Sequence, residues 1–181
     1  MAKASRTTCL LVLLVVAAGI AASQARKTHL LHEQTLFRED KPLQHPVPVS
    51  QDVLRVLLER DEVKQGLDFS SDSERNNPTQ LFRAAEVYLS SSDEVGLVVI
   101  GIPPMTGADN DWFWVVRSPR HNPSVVLFSG GDYLQLLNSG TNGLRDIRRL
   151  FSTASETRET IYKFDGTRYK IAKDKWTEKP Q

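Results

Sequence analysis

From residue 95 onward the chain is cut into short apolar runs, Leu97 to Ile100, Trp112 to Val116 and Val125 to Phe128, each bounded by Gly, Pro, Asn or Asp. Runs of this length between turn-forming residues are too short for stable helices and fit strands. They do not alternate with polar residues, so both faces of these strands are expected to be covered. Tyr133 to Leu137 and Ile147 to Phe151 continue the series at similar spacing. Asp165-Gly166 then separates Thr160 to Phe164 from Thr167 to Ile171, the pattern of a hairpin with a two-residue type I′ turn. Its register pairs Phe164 with Thr167, Tyr162 with Tyr169 and Thr160 with Ile171, all on one face, the expected core face. The other face carries Ile161, Lys163, Arg168 and Lys170, with Lys163 opposite Arg168, a like-charge pairing. The fold class is therefore mainly β, an antiparallel meander or sandwich.

One α-helix is expected ahead of these strands. Ser50 has the character of an N-cap, Asp52 lies in the first turn, Val53, Leu54, Leu57 and Leu58 form one stripe, and Gly66 stands as a stop after Lys64. The expected helix runs from Gln51 to Gln65. Residues 70–79 are rich in Ser, Asp and Asn and end in Asn-Asn-Pro, which predicts a loop. Leu81 to Leu89 alternates and is assigned as a strand, although Asn77 before Pro78 also leaves a helix start open.

Lys3 and Arg6 precede an apolar run from Cys9 to Ile20, followed by small residues to Ala25, the three-part pattern of a secretory signal peptide. Residues 26–49 hold His29, His32 and His45 with Pro42, Pro46 and Pro48, which predicts an extended, proline-containing leader. The expected organisation is a signal peptide at 1–25, a leader at 26–49, a β-rich domain at 50–176 and a tail at 177–181. The protein is expected to be exported, periplasmic or secreted, with no stable membrane span after cleavage. Its one cysteine, Cys9, falls in the signal segment, so an intrachain disulfide and a cysteine zinc site are excluded.

With 23 basic and 22 acidic residues the formal charge is +1, which excludes a globally basic nucleic-acid binder. Electrostatic function must be local. Residues 26–139 hold 11 basic and 16 acidic residues, whereas residues 140–181 hold 10 and 6. Arg148, Lys163, Arg168, Lys170, Lys173 and Lys175 form either a candidate cationic strip for an anionic polymer or protein or, as is commoner for exposed charges, a solvated face partly neutralised by the acidic half. Trp112 and Trp114 alternate onto one strand face, either as a stacking platform or, as is commoner for such residues, as core.

Catalytic signals are sparse. There is no Gly-x-Ser-x-Gly elbow, Ser129-Gly130-Gly131 reads as a turn between strands, and His121 sits in a turn beside Asn122-Pro123. His29 and His32 lack a third ligand at a diagnostic interval, and Asp109-Asn110-Asp111 offers calcium-type oxygens that a turn would also require. No catalytic residue, metal ligand or cofactor is assigned on these grounds.

A weak internal repeat is visible: strands near 97–101, 112–118 and 124–129 can be laid on those near 146–151, 159–164 and 167–172. The stretch Phe82 to Leu89, Leu97 to Gly101, Gly107 to Asn110 with Phe113-Trp114, Asn142 to Ile147, and Tyr162 to Tyr169 resembles a group of uncharacterised exported bacterial β-rich proteins. It is also loosely similar to FG-GAP and VCBS-type β blades. The resemblance implies an exported β-rich scaffold and brings no activity with it; the two blade-like units are what the repeat suggests. An Asp-x-Asp-x-Asp-Gly calcium loop is lacking.

The reading that follows is an exported non-enzymatic β-rich module that binds an envelope or extracellular partner through its basic C-terminal hairpin. Two alternatives stand beside it. One is a small secreted hydrolase using Asp109, Asp111 or Asp132, and the other is a structural accessory domain without a ligand.

Overall fold

The apolar runs become the strands of two antiparallel sheets, five strands in each. The computed structural model describes residues 34–90, 94–107, 110–118 and 120–179. The expected signal segment, His29, His32 and Asp109 lie outside the described residues. The first sheet has the order β2 (Pro46–Val47), β3 (Phe82–Tyr88), β4 (Val95–Gly101), β5 (Asp111–Arg117) and β6 (Ser124–Gly131). The second has the order β1 (Leu36–Phe37), β7 (Tyr133–Thr141), β8 (Leu144–Ser152), β9 (Glu156–Phe164) and β10 (Tyr169–Glu178). Each sheet is thus a four-stranded meander with a two-residue strand from the leader along one edge. The repeat seen in the sequence corresponds to β4 to β6 in one sheet and β8 to β10 in the other.

The two sheets enclose a core built from Phe37, Val98, Ile100, Phe113, Val115, Leu134, Leu136 and Ile147 in a sandwich-like arrangement. A second core lies on the other side of the first sheet. There Val53, Leu57 and Val63 from the helices pack with Leu97, Val99, Trp114 and Val116. Each such buried side chain contributes roughly 1.5–3 kcal/mol relative to exposure. The first sheet is therefore covered on both faces, as its unbroken apolar runs require. Among the described residues no helix is long and apolar enough to cross a membrane.

The helical region differs from expectation. Ser50 does cap, its Oγ accepting from the Val53 N–H at 3.3 Å. But the expected single helix is two, α1 (Gln51–Leu58) and α2 (Asp61–Asp68), broken where Arg60 takes an extended conformation. Continued straight, the Val53–Leu57 stripe would bring polar Asp61, Lys64 and Gln65 toward the sheet. The break turns Val63 and Leu67 inward instead. Gly66 is no stop. It lies inside α2, where an added Cβ would come within 2.6 Å of the Met105 sulfur.

The expected loop at 70–79 contains α3 (Asp72–Asn76), held by a capping box in which Ser71 Oγ accepts from the Glu74 N–H and Glu74 Oε2 accepts from the Ser71 N–H. Pro78–Leu81 adds one 3₁₀ turn, and the chain then enters β3, so the strand reading of this region holds.

Two turns carry the second sheet. Asn142 and Gly143, at φ +50° and +86°, form the two-residue connection of β7 to β8, and Thr141 pairs with Leu144. The Asp165 hairpin is longer than expected. Asp165 Oδ1 accepts from both the Thr167 and Arg168 N–H groups at 2.8 Å, making a four-residue connection. The register moves by two: Tyr169 faces Phe164, Lys170 faces Lys163 and Ile171 faces Tyr162. A two-residue shift keeps each side chain on its face. Tyr162, Phe164 and Tyr169 are buried as expected, but Thr167 is in the turn and Ile171 is 58% exposed. Ser129-Gly130-Gly131 is likewise not a turn; it ends β6, with Ser129 Oγ 3.1 Å from Tyr162 Oη.

Candidate functional site

Strand parity decides where the C-terminal cations go. In the second sheet Ile147 and Tyr162 face the inter-sheet core and pair with each other, so their chain neighbours face away. On that outer face Arg148 aligns with Ile161 and Lys173, Lys163 with Lys170, and Glu159 with Lys175. Five cations therefore share one face: Arg148, Lys163, Lys170, Lys173 and Lys175. A bulge at Ala172 places Lys173 and Lys175 on the same side as Lys170. Arg168 is separate, in the turn at the end of the hairpin.

Counter-charge on this face is thin: by the same parity Asp146, beside Ile147, also turns this way, but it is buried and accepts from Ser139 Oγ at 2.8 Å and Thr141 Oγ1 at 2.7 Å. Glu159 lies 3.7 Å from Arg148, which also donates to Gln135 Oε1 and sits 5.9 Å from the Tyr133 ring centroid. Among the described residues Lys163, Lys170, Lys173 and Lys175 make no side-chain hydrogen bond or ion pair. Lys163 and Lys170 stand directly opposite each other, a repulsion of a few tenths of a kcal/mol, about 0.2–1 at most. A bound anion would relieve it.

The inner face of the same strands uses its charges differently. Arg158 grips Asp174 with Nε to Oδ1 at 2.9 Å and Nη2 to Oδ2 at 2.6 Å, while Thr160 Oγ1 donates to Asp174 Oδ1 at 3.0 Å. Arg149 donates to Thr160 Oγ1 and to the Gly130 carbonyl. The Arg158 hydrogen bond, aided by that from Thr160, brings the Asp174 carboxyl down to about 2. Arg158 also stacks over the exposed Trp176 ring at 4.9 Å. These arginines are committed to the fold.

Among the described residues β6 and β10 each end a sheet, so each has one edge that no described strand pairs. Between them runs an open groove of about 860 Å³. Val126, Phe128, Tyr162 and Ile171 supply apolar lining, and Arg60, Arg168 and Lys170 bring positive charge.

Trp112 and Trp114 share a face, as expected, with Phe113 and Val115 on the other. That face packs under the helices. Trp114 is fully buried, stacked on Phe128 at 5.4 Å and edge-on to Phe82, and its Nε1 donates to Glu62 Oε1 at 3.0 Å. Trp112 is half-buried, edge-on to Trp114 and Phe128. Their rings are spent on each other, and Trp114 presents no surface to a ligand. The structure does not bring them to the cationic face.

Two of the three carboxylates named for a hydrolase do share a cleft. Asp111 and Asp132 line a hollow of about 340 Å³ with Glu39, Asp40, Asn110 and Arg38. Burial, with the nearby Glu39 and Asp40 charges, raises the Asp111 pKa against the pull of the Glu39 N–H, which donates to Asp111 Oδ2 at 2.8 Å. Sequence reasoning missed Glu39 and Asp40, which lie in the leader far from Asp111 along the chain. Among the described residues no three His, Cys, Asp or Glu side chains converge as a metal-ligand set. His121 is exposed in its turn, its backbone N–H donating to the Ser118 carbonyl.

Comparison with known protein families, with curated proteins and with solved structures finds no match.

Proposed function

We propose that this chain is a non-catalytic β-rich module which, once exported, holds an anionic envelope or extracellular partner on the outer face of its second sheet. The observation that carries the reading is the convergence of Arg148, Lys163, Lys170, Lys173 and Lys175 on one face, where among the described residues Glu159 is paired in their rows and the neighbouring Asp146 is buried and held by Ser139 and Thr141. Arg168 extends this positive field past the end of the hairpin. A stiff sheet suits the task, because its side chains are held in fixed rows before the partner arrives.

Immobilised polyglutamate serves as a defined anionic probe. Wild-type protein is expected to be retained at low salt and released as salt rises, since exposed charges are screened over about 10 Å at 0.1 M. Lys163→Glu with Arg168→Glu should weaken retention about tenfold while leaving the unfolding transition in place, because exposed charges contribute little to folding. Equal retention of the double variant overturns the reading. So does turnover of a glycan or peptide panel that is lost in Asp132→Asn, which would move the function to the carboxylate cleft.

A further inference from the structure

We infer that the free edge of β10 is a strand-addition site for an extended polypeptide segment in which acidic and apolar residues alternate. The inference rests on the cationic-face reading and adds to it the form of the partner.

Among the described residues β10 is hydrogen-bonded on one side only, and every residue from Lys170 to Glu178 is exposed. An extended segment laid along that edge takes up the unpaired N–H and C=O groups, and its side chains fall alternately on the two faces of the sheet. Those on the outer face meet Lys170 and Lys173. Those on the inner face lie beside Ile171, 58% exposed, and enter the groove where Val126 and Tyr162 supply apolar wall and Arg60 and Arg168 also line it. The edge therefore asks for acid on one side and apolar surface on the other.

Charge also argues against a second copy of the chain as occupant. Antiparallel pairing of β10 with itself about a two-fold axis perpendicular to the sheet would bring Lys170, Lys173 and Lys175 of both copies together on one face of the joined sheet, and lysines along an edge are a common protection against such pairing. The same lysines that disfavour self-pairing favour an acidic strand.

The probe is a short synthetic peptide of alternating glutamate and valine, used where it is monomeric alone, with titration followed by amide exchange of β10. Two further peptides carry N-methyl groups on the glutamates or on the valines, keeping charge and apolar area but removing alternate N–H donors. An added strand turns only one of these two sets toward β10. The parent peptide is expected to bind and to slow exchange of β10 amides. One methylated peptide should lose about tenfold or more in affinity, since several hydrogen bonds of about 1 kcal/mol are removed together, while the other stays close to the parent. Ile171→Asp, at an exposed position, should weaken the parent peptide as well.

If both methylated peptides bind as the parent does and only Lys170→Glu weakens them, strand addition is wrong and the cationic-face reading survives. If polyglutamate binds and the alternating peptide does not, strand addition is again wrong. If neither binds, both readings fall.

Discussion

Trp114→Ala is expected to lower folding stability by about 3–5 kcal/mol, the usual cost of emptying a buried aromatic site. The ring touches Phe82, Trp112 and Phe128, and its Nε1 ties the first sheet to Glu62 at the start of α2. Removal leaves a cavity between the helices and the sheet, and it strips Glu62 Oε1 of a donor, leaving Arg60 at 3.1 Å as its partner. A domain of this size has about 5–15 kcal/mol in total, so the loss is a large fraction. Trp114→Phe keeps much of the volume and should cost about 1–3 kcal/mol. Urea unfolding followed by circular dichroism measures both. A Trp114→Ala midpoint unchanged from wild type would mean that the ring is not in a packed core and that the stacking-platform reading should return.

Gly101→Ala is expected to be nearly as damaging for the opposite reason, excess volume. An added Cβ would stand 1.7 Å from the Met105 carbonyl oxygen and 2.8 Å from its carbonyl carbon. These are backbone atoms of a turn pinned by the Met105 N–H to the Ile102 carbonyl at 2.7 Å and by the Ile102 N–H to the Leu81 carbonyl at 2.9 Å. Met105 is itself fully buried against Gly66, so the turn cannot retreat without opening the packing between α2 and the first sheet. The expected loss is about 3 kcal/mol or more, at the upper end of overpacking effects. The same urea experiment reads it. Wild-type stability in Gly101→Ala would show that the turn at Ile102–Met105 is looser than this packing requires.

The strands of both sheets are legible because short apolar runs between turn residues have few other ways to fold. Double coverage of the first sheet is legible for a related reason, since Leu97-Val98-Val99-Ile100 offers no polar face to water. What escapes is set by local hydrogen bonding or by distance along the chain. The Asp165 carboxylate takes two backbone N–H groups and lengthens its turn, an option that the Asp-Gly pair does not advertise. Asn142-Gly143, which does make the two-residue turn, carries the stronger hairpin signal of the two. The α1–α2 break follows from the mismatch between the Val53–Leu57 stripe and the polar residues one turn on, and α3 has a readable capping box at Ser71 and Glu74. Arg148, Lys163 and Lys170 are legible from strand parity once Tyr162 is known to point inward, but Lys173 and Lys175 join them only through the bulge at Ala172. The carboxylate cleft is not legible, because Glu39 and Asp40 reach Asp111 by folding rather than by spacing.

The central claim is that the outer face of the second sheet is where a partner sits. It is tested most directly by lysine acetylation footprinting of the full protein, alone and in the presence of envelope extract, read residue by residue by mass spectrometry. The account predicts that Lys163, Lys170, Lys173 and Lys175 become protected together in the extract while Lys41 and Lys64 stay reactive. Equal reactivity of all six lysines with and without extract, or protection confined to Lys41 beside the carboxylate cleft, would contradict it.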